Sequence, residues 1–268
     1  MSKNTFVLLT VLAAAGCAQP APPATATATA LPGAIIDLTH SFGSDTVYWP
    51  TAEPFKLTVV NDGVTPGGYY YAANNFSAAE HGGTHLDAPV HFAKGRHAVD
   101  QIPLEQLVGQ AVVVDVSAAA EKNADYLVGV ADLEAFEAAH GRIPDNAILL
   151  VRTGFSSRWP DAARYLGTAE RGADAVPKLH FPGLDPAAAR WLVQNRTIHA
   201  LGIDTASIDY GQSTTYETHQ VLYEANVPGL ENLTSLDQLP PTGATVVALP
   251  MKIQGGSGAP LRAIAIVR

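Results

Sequence analysis

Apolar and polar positions along the chain fall into short strand-like runs separated by helical stretches. Ala34 to Leu38 is a short apolar run, and Phe55 to Val60 alternates with the period of a strand. Ala111 to Val116 reads Ala-Val-Val-Val-Asp-Val, whose length and β-branching predict a buried strand. Ala147 to Val151, Ile198 to Ile203, Ala244 to Leu249 and Arg262 to Val267 predict four more. A helix is expected over Ala131 to His140, with Leu133 and Phe136 on one face and Gly141 as its stop. A second runs from Asp185 to Gln194, with Asp185 as N-cap and Pro186 at the first helical position. A third, short, covers His219 to Ala225. Strands interleaved with helices predict an α/β domain built on a mixed sheet. No internal repeat or second linker breaks the pattern, so residues 34–268 read as one domain.

The first 33 residues stand apart. Lys3 precedes the uncharged run Phe6 to Ala15, which is too short to span a bilayer, and Ala14-Ala15-Gly16 leads to the single cysteine, Cys17. Residues 1–17 resemble a bacterial lipoprotein signal, with Ala14 where a leucine is usual, and imply export to the periplasm and a lipid anchor on Cys17. Residues 18–33, rich in Ala, Thr and Pro, read as a tether. One cysteine allows no internal disulfide. The remaining composition, 47% hydrophobic and 15% charged, is that of a globular protein. A net charge of -9 with no basic cluster excludes nucleic acid as a partner, and any membrane contact is expected through the lipid anchor alone.

The candidate chemistry is concentrated in His81-Gly82-Gly83-Thr84-His85-Leu86-Asp87-Ala88-Pro89-Val90-His91. His81, His85, Asp87 and His91 share one parity, so an extended backbone aims all four to one side. A helix would swing Asp87 away, and Gly82, Gly83 and Pro89 oppose one. Pro89 is expected to stiffen the exit and to exclude a central strand. Imidazoles with a carboxylate suit zinc, manganese or iron. Off-phase Thr84 is expected to support the loop by a hydrogen bond.

The pattern H-x-G-T-H-x-D-x-P-x-H resembles the signature of the cyclase family of metal-dependent hydrolases, which includes kynurenine formamidases and isatin hydrolases. Leu201 to Asp209, His219 with Gly229-Leu230-Glu231-Asn232-Leu233, and Ala248 to Arg262 are similar to later blocks of the family. The resemblance implies a swivelling β/β/α fold, a homodimer and two divalent metal ions, zinc or manganese. It implies His81, His85 and Asp87 as ligands of one ion, Asp87, His219 and Glu231 as ligands of the other, and His91 as a catalytic histidine. It also implies Trp49, in the Trp49-Pro50 pair, as a substrate contact; packing on its own domain is the plainer reading.

The acidic residue at Glu231 favours an arylformamidase-like enzyme, which would cleave a small amide with metal-activated water. Isatin hydrolase-like opening of a cyclic amide or a lactone is the alternative, and the exported location weakens a purely catabolic formamidase. Tyr69, Tyr70 and Tyr71 line a pocket or pack in a strand, and His199 reads as a core histidine. A two-histidine, one-carboxylate iron oxygenase is opposed by the helices, because such sites favour all-β folds. A non-catalytic envelope lipoprotein that binds metal or ligand would have no need of His91.

Overall fold

The structure, a computed structural model, describes residues 33–268; the signal reading, Cys17 and the tether through residue 32 lie outside the described residues. In chain order the strands are β1 (Ala34–Asp37), β2 (Lys56–Val64), β3 (Tyr70–Ser77), β4 (His85–Asp87), β5 (Val108–Asp115), β6 (Leu127–Val128), β7 (Ala147–Arg152), β8 (Gly183–Leu184), β9 (Ile198–Ile203), β10 (Gly229–Glu231), β11 (Thr242–Pro250) and β12 (Gly258–Val267). The helices are α1 (Leu104–Leu107), α2 (Ser117–Ala120), α3 (Val130–His140), α4 (Ala162–Leu166), α5 (Pro186–Asn195) and α6 (Glu217–Glu224).

Eight strands form one mixed sheet in the order β1-β12-β11-β5-β7-β9-β10-β4. The run β5-β7-β9-β10 is parallel and the other pairings are antiparallel. Its central parallel strands β5, β7 and β9 are buried on both faces, which is why they read as continuous apolar runs. Ala111, Val113, Ile148 and Leu150 point into one core with Leu86, Leu230 and Ala263. Their neighbours Val112, Val114, Leu149 and Val151 point the other way, against Leu133 and Phe136 of α3 and Ala188 and Leu192 of α5. β4 is the last strand of this order, yet it also pairs with β12 through Gly258–Pro260. The sheet therefore closes on itself, leaving β4 without a free edge.

The helix ends follow their sequence signals. The Asp185 carboxylate accepts the Ala187 N–H at 2.7 Å, and Pro186 opens α5. Asp132 reaches back to accept the Gly129 N–H at 2.8 Å ahead of α3.

Two expectations are corrected. The motif is not extended from His81 to His91: only His85–Asp87 is strand. Gly83, at φ +58°, turns the chain before it, and Pro89–His91 is a 3-10 turn after it. Pro89 fixes its own φ, and the His91 N–H closes the turn on the Ala88 carbonyl at 2.9 Å. Nor does Pro89 exclude a central strand. β4 is paired on both sides, and it ends two residues before the proline, so no ladder bond is lost.

Among the described residues, β2 and β3 pair only with each other, and nearly all their residues are exposed on both faces. Among the described residues, no helix is long and apolar enough to cross a membrane. Asp185→Ala removes the α5 cap and is expected to lower unfolding stability by about 1 kcal/mol, read from urea denaturation; an unchanged midpoint would show that the cap contributes nothing.

Candidate metal centre

The site is built where three short segments of the closed sheet meet α6. On β4, His85 and Asp87 share one side and Leu86, fully buried, faces the core between them. Glu231 ends β10 and is the register partner of His85, so sheet pairing alone brings the two side chains together. Asp87 has a glycine opposite it on both neighbours, Gly229 on β10 and Gly258 on β12. A Cβ at Gly229 would lie 2.6 Å from Tyr223 Oη, and one at Gly258 would lie 2.4 Å from His81 Cε1. The absent side chains thus leave room for two groups to reach the same carboxylate. Tyr223 donates to Asp87 Oδ2 at 2.9 Å, and His81 Nδ1 lies 2.7 Å from Asp87 Oδ1.

His219, on α6, brings Nε2 to 3.4 Å from Asp87 Oδ2 and 3.3 Å from Glu231 Oε1. His85 Nε2 lies 3.0 Å from Asp87 Oδ1 and 3.4 Å from Glu231 Oε2. It is buried and still makes no hydrogen bond, because the ring points between its carboxylate neighbours. A nitrogen so placed fits a cation better than it fits any protein donor or acceptor. Ligand atoms of His81, His85 and Asp87 lie within 4.8 Å of one another, as do those of Asp87, His219 and Glu231. These clusters can hold a metal ion, and they share Asp87.

Neighbouring residues, among them Asp209 and Asn232, which were given no role from the sequence, aim these side chains. Asp209 Oδ2 holds His219 Nδ1 at 2.5 Å. His85 Nδ1 faces the Gly83 carbonyl at 2.9 Å, and that carbonyl also accepts from Asn232 Nδ2 at 2.8 Å. Thr84 supports the loop as expected: its hydroxyl donates to the Asn232 carbonyl at 2.6 Å and accepts the His40 N–H at 2.9 Å. Fixing the outer nitrogen of a histidine in this way selects the ligating one. Asp209 closes the family-like block Leu201–Asp209 without a role of its own there, and Tyr223 has only its place four residues after His219 to hint at one.

The charges sort into groups. Burial pushes the Asp87 carboxyl up, but His81, His219 and His85 outweigh it and hold Asp87 well below the usual carboxylate range. Burial pulls the His85 imidazole down, but Asp87 and Glu231 raise it to about 9. Burial likewise opposes charge on His219, and Asp209, Asp87 and Glu231 raise it well above the usual value. His91 goes the other way: burial, outweighing the pull of Asp87, lowers it to about 4. The His91 ring stacks on His81 with centroids 3.8 Å apart, so a neutral base sits beside a charged cluster.

The cluster forms the floor of a cavity of about 340 Å³, walled by aromatic side chains of Tyr48, Trp49, Phe92 and Tyr216. His91 lines it as well. Trp49 is half-buried, packs edge-on against Phe181 and Tyr216 of its own chain, and also lines the cavity. Tyr69, Tyr70 and Tyr71 neither line the cavity nor pack in a core; they are exposed at the start of β3, because that hairpin has no sheet beneath it. His199 is half-buried on β9, with a buried Nδ1 that makes no hydrogen bond.

Residues 36–210 match the "Putative cyclase" family model. The chain belongs to the cyclase family. It is 30% identical to an isatin hydrolase of Roseibium aggregatum over 87% of this chain and 86% of that protein. It is also 30% identical to a kynurenine formamidase of Salinibacter ruber, over 86% of this chain and 96% of that one. Among solved structures, isatin hydrolase A from Ralstonia solanacearum superposes with a TM-score of 0.79 at 40% identity, covering 88% of this chain and 92% of that one. The fold of the cyclase family is thus the fold of this chain.

The depressed His91 pKa yields a signed expectation. A histidine at about 4 when folded and about 6.5 when unfolded binds fewer protons in the native state between those values. Its contribution to stability is whole above pH ~6.5 and is lost as pH falls toward ~4. NMR titration of the His91 ring should show no protonation at pH 6; a midpoint near 6.5 would remove the neutral-base assignment.

Proposed function

We propose that this protein is a metal-dependent hydrolase that cleaves the C–N bond of an uncharged aryl amide, with a fused cyclic amide of the isatin kind as the first choice. One observation carries the choice: the cavity has a metal-binding floor and aromatic walls, and no lysine or arginine among the described residues lines it. An amino-acid-bearing amide with its carbonyl on the floor would hold its carboxylate against the aromatic walls, where no lysine or arginine pairs it, a costly burial. A flat neutral aryl ring stacks on Trp49 or Phe92 at no such cost. The 40% identity to an isatin hydrolase structure supports the same choice. The arylformamidase reading keeps its own support in Glu231, which completes a second ligand set with Asp87 and His219, and it predicts a linear N-formyl anilide as substrate.

In this reading His81, His85 and Asp87 hold one divalent ion and Asp87, His219 and Glu231 a second, zinc or manganese, with Asp87 shared. Bound there, such ions polarise a carbonyl and lower the pKa of water. His91, neutral and stacked against His81, accepts the proton of the attacking water at a ring nitrogen. It then delivers that proton to the amide nitrogen as the C–N bond breaks and the new C–O bond is complete. Phe92 and Tyr216 close the walls beside His219 and limit access of bulk water.

We further propose a homodimer and a lipid-anchored periplasmic location. The exposed Leu57, Val59, Tyr70 and Phe76 of the β2–β3 hairpin support the dimer, since a lone hairpin is marginal in water. The Lys3, Phe6–Ala15 and Cys17 pattern supports the anchor.

The test is purified protein, stripped with chelator and reloaded with zinc or manganese, against isatin, N-formylaniline and an aryl lactone. Isatin opening is expected only after metal is restored; full activity in stripped protein, or no turnover on any of the three, would sink the proposal. His91→Ala is expected to keep its metal and lose about 10²–10⁴-fold in kcat, with metal loss showing that His91 is a ligand. Glu231→Ala is expected to halve the bound metal, and an unchanged ratio would remove the second ion.

A further inference from the structure

His81 differs from the other histidines of the cluster in what holds its outer nitrogen. His85 leans on a backbone carbonyl and His219 on a buried carboxylate. His81 Nε2 lies 2.9 Å from Ser257 Oγ, and the Ser257 hydroxyl donates at 2.7 Å to Glu80 Oε2. The same carboxylate oxygen accepts the Ser257 N–H at 3.0 Å. Glu80 is the residue before His81, and Ser257 the residue before β12, so the chain of bonds joins segments 177 positions apart.

Chemistry sets the direction of these bonds. A carboxylate only accepts, so the Ser257 hydroxyl gives its proton to Glu80 and its lone pair to His81 Nε2–H. In the neutral ring this leaves a bare lone pair on Nδ1, 2.7 Å from Asp87 Oδ1. At that distance Nδ1 and the carboxylate oxygen share a cation: a proton when the cluster is empty, a metal ion when it is loaded. The ring is also confined sterically. Gly258 stands where any Cβ would lie 2.4 Å from Cε1 and 2.8 Å from Nδ1, and the His91 ring is stacked at 3.8 Å and 18°.

We propose that Ser257 and Glu80 are positioning residues for metal capture: together they fix the tautomer and orientation of His81 so that Nδ1 is its ligand atom. This rests on the metal-dependent reading above. The Ser257 segment does not need Glu80 for its own placement. The Ala88 N–H bonds the Ser257 carbonyl at 2.8 Å, the Val99 N–H bonds the Gly256 carbonyl at 3.0 Å, and Asp100 accepts the Gly255 N–H at 2.9 Å. The Ser257 hydroxyl can therefore be removed while the loop stays in place.

The measurement is zinc affinity of full-length protein by competition with a chromogenic chelator, paired with thermal unfolding of the metal-free form. Ser257→Ala and Glu80→Ala are each expected to weaken zinc binding by about 10–100-fold, with metal-free unfolding within a few degrees of wild type. Ser257→Thr, which keeps the hydroxyl, is expected to restore affinity. The double variant Ser257→Ala/Glu80→Ala is expected to be no weaker than the worse single variant, since the two act as one unit. Wild-type affinity in Ser257→Ala, or a Ser257→Thr protein as weak as Ser257→Ala, would overturn the proposal while leaving the hydrolase reading intact. A wild-type protein that takes up no zinc, manganese or cobalt would instead overturn the hydrolase reading itself.

Discussion

A single buried carboxylate organises this molecule's site. Asp87 is 1% exposed, and both of its cross-strand neighbours are glycines. Burying a charged oxygen pair is tolerable only if both oxygens are engaged. Here Oδ1 faces His81 and His85, while Oδ2 faces His219 and Tyr223. The glycines are the condition for that arrangement, because a side chain at Gly229 or Gly258 would displace Tyr223 or His81. Desolvation of Asp87 is outweighed by the surrounding histidines, so the site keeps its negative charge and gathers positive charge around it.

Closure of the sheet makes that carboxylate possible. A three-residue strand at an open edge would fray and would leave its side chains in water. β4 escapes this by pairing with β10 on one side and β12 on the other. The same closure sets Glu231 opposite His85 by register, without any need for a long side-chain reach. The loop after β9 supplies Ser207 and Asp209 and the end of β10 supplies Glu231, so the site also lies where a parallel sheet conventionally binds ligands, beyond the carboxyl ends of its strands. Fold and site are thus one construction: the strand that completes the barrel-like sheet is the strand that carries His85 and Asp87 of the two clusters.

This explains what could be read from the sequence and what could not. Strands buried on both faces announce themselves as apolar runs, and Ala111–Val116, Ala147–Val151 and Ile198–Ile203 all became strands of the central sheet. Asp185-Pro186 announced a helix start because capping is local. His81, His85 and Asp87 were legible from their spacing, although for a partly wrong reason: parity orients only His85 and Asp87, while a left-handed Gly83 and a 3-10 turn place His81 and His91. His219 and Glu231 came from family resemblance, and the structure brings both to Asp87. Asp209, Tyr223, Asn232, Glu80 and Ser257 were not given roles, since each acts through a partner that only tertiary structure brings near. The exposed hairpin was equally hidden, because Phe55–Val60 has the same alternation whether or not a core lies beneath it.

The division of labour among the histidines follows from distance to carboxylate rather than from residue type. His85 sits within 3.5 Å of two carboxylates and His219 within 3.5 Å of three, and both are pushed toward the charged form. His91 is the same side chain, stacked 3.8 Å from His81 but carried past the carboxylates by the 3-10 turn, and burial drives it to neutrality. Pro89 therefore does more than end a strand: it fixes the first position of the turn that carries His91 to the cavity wall, stacked on His81 and outside the two clusters that can hold a metal ion.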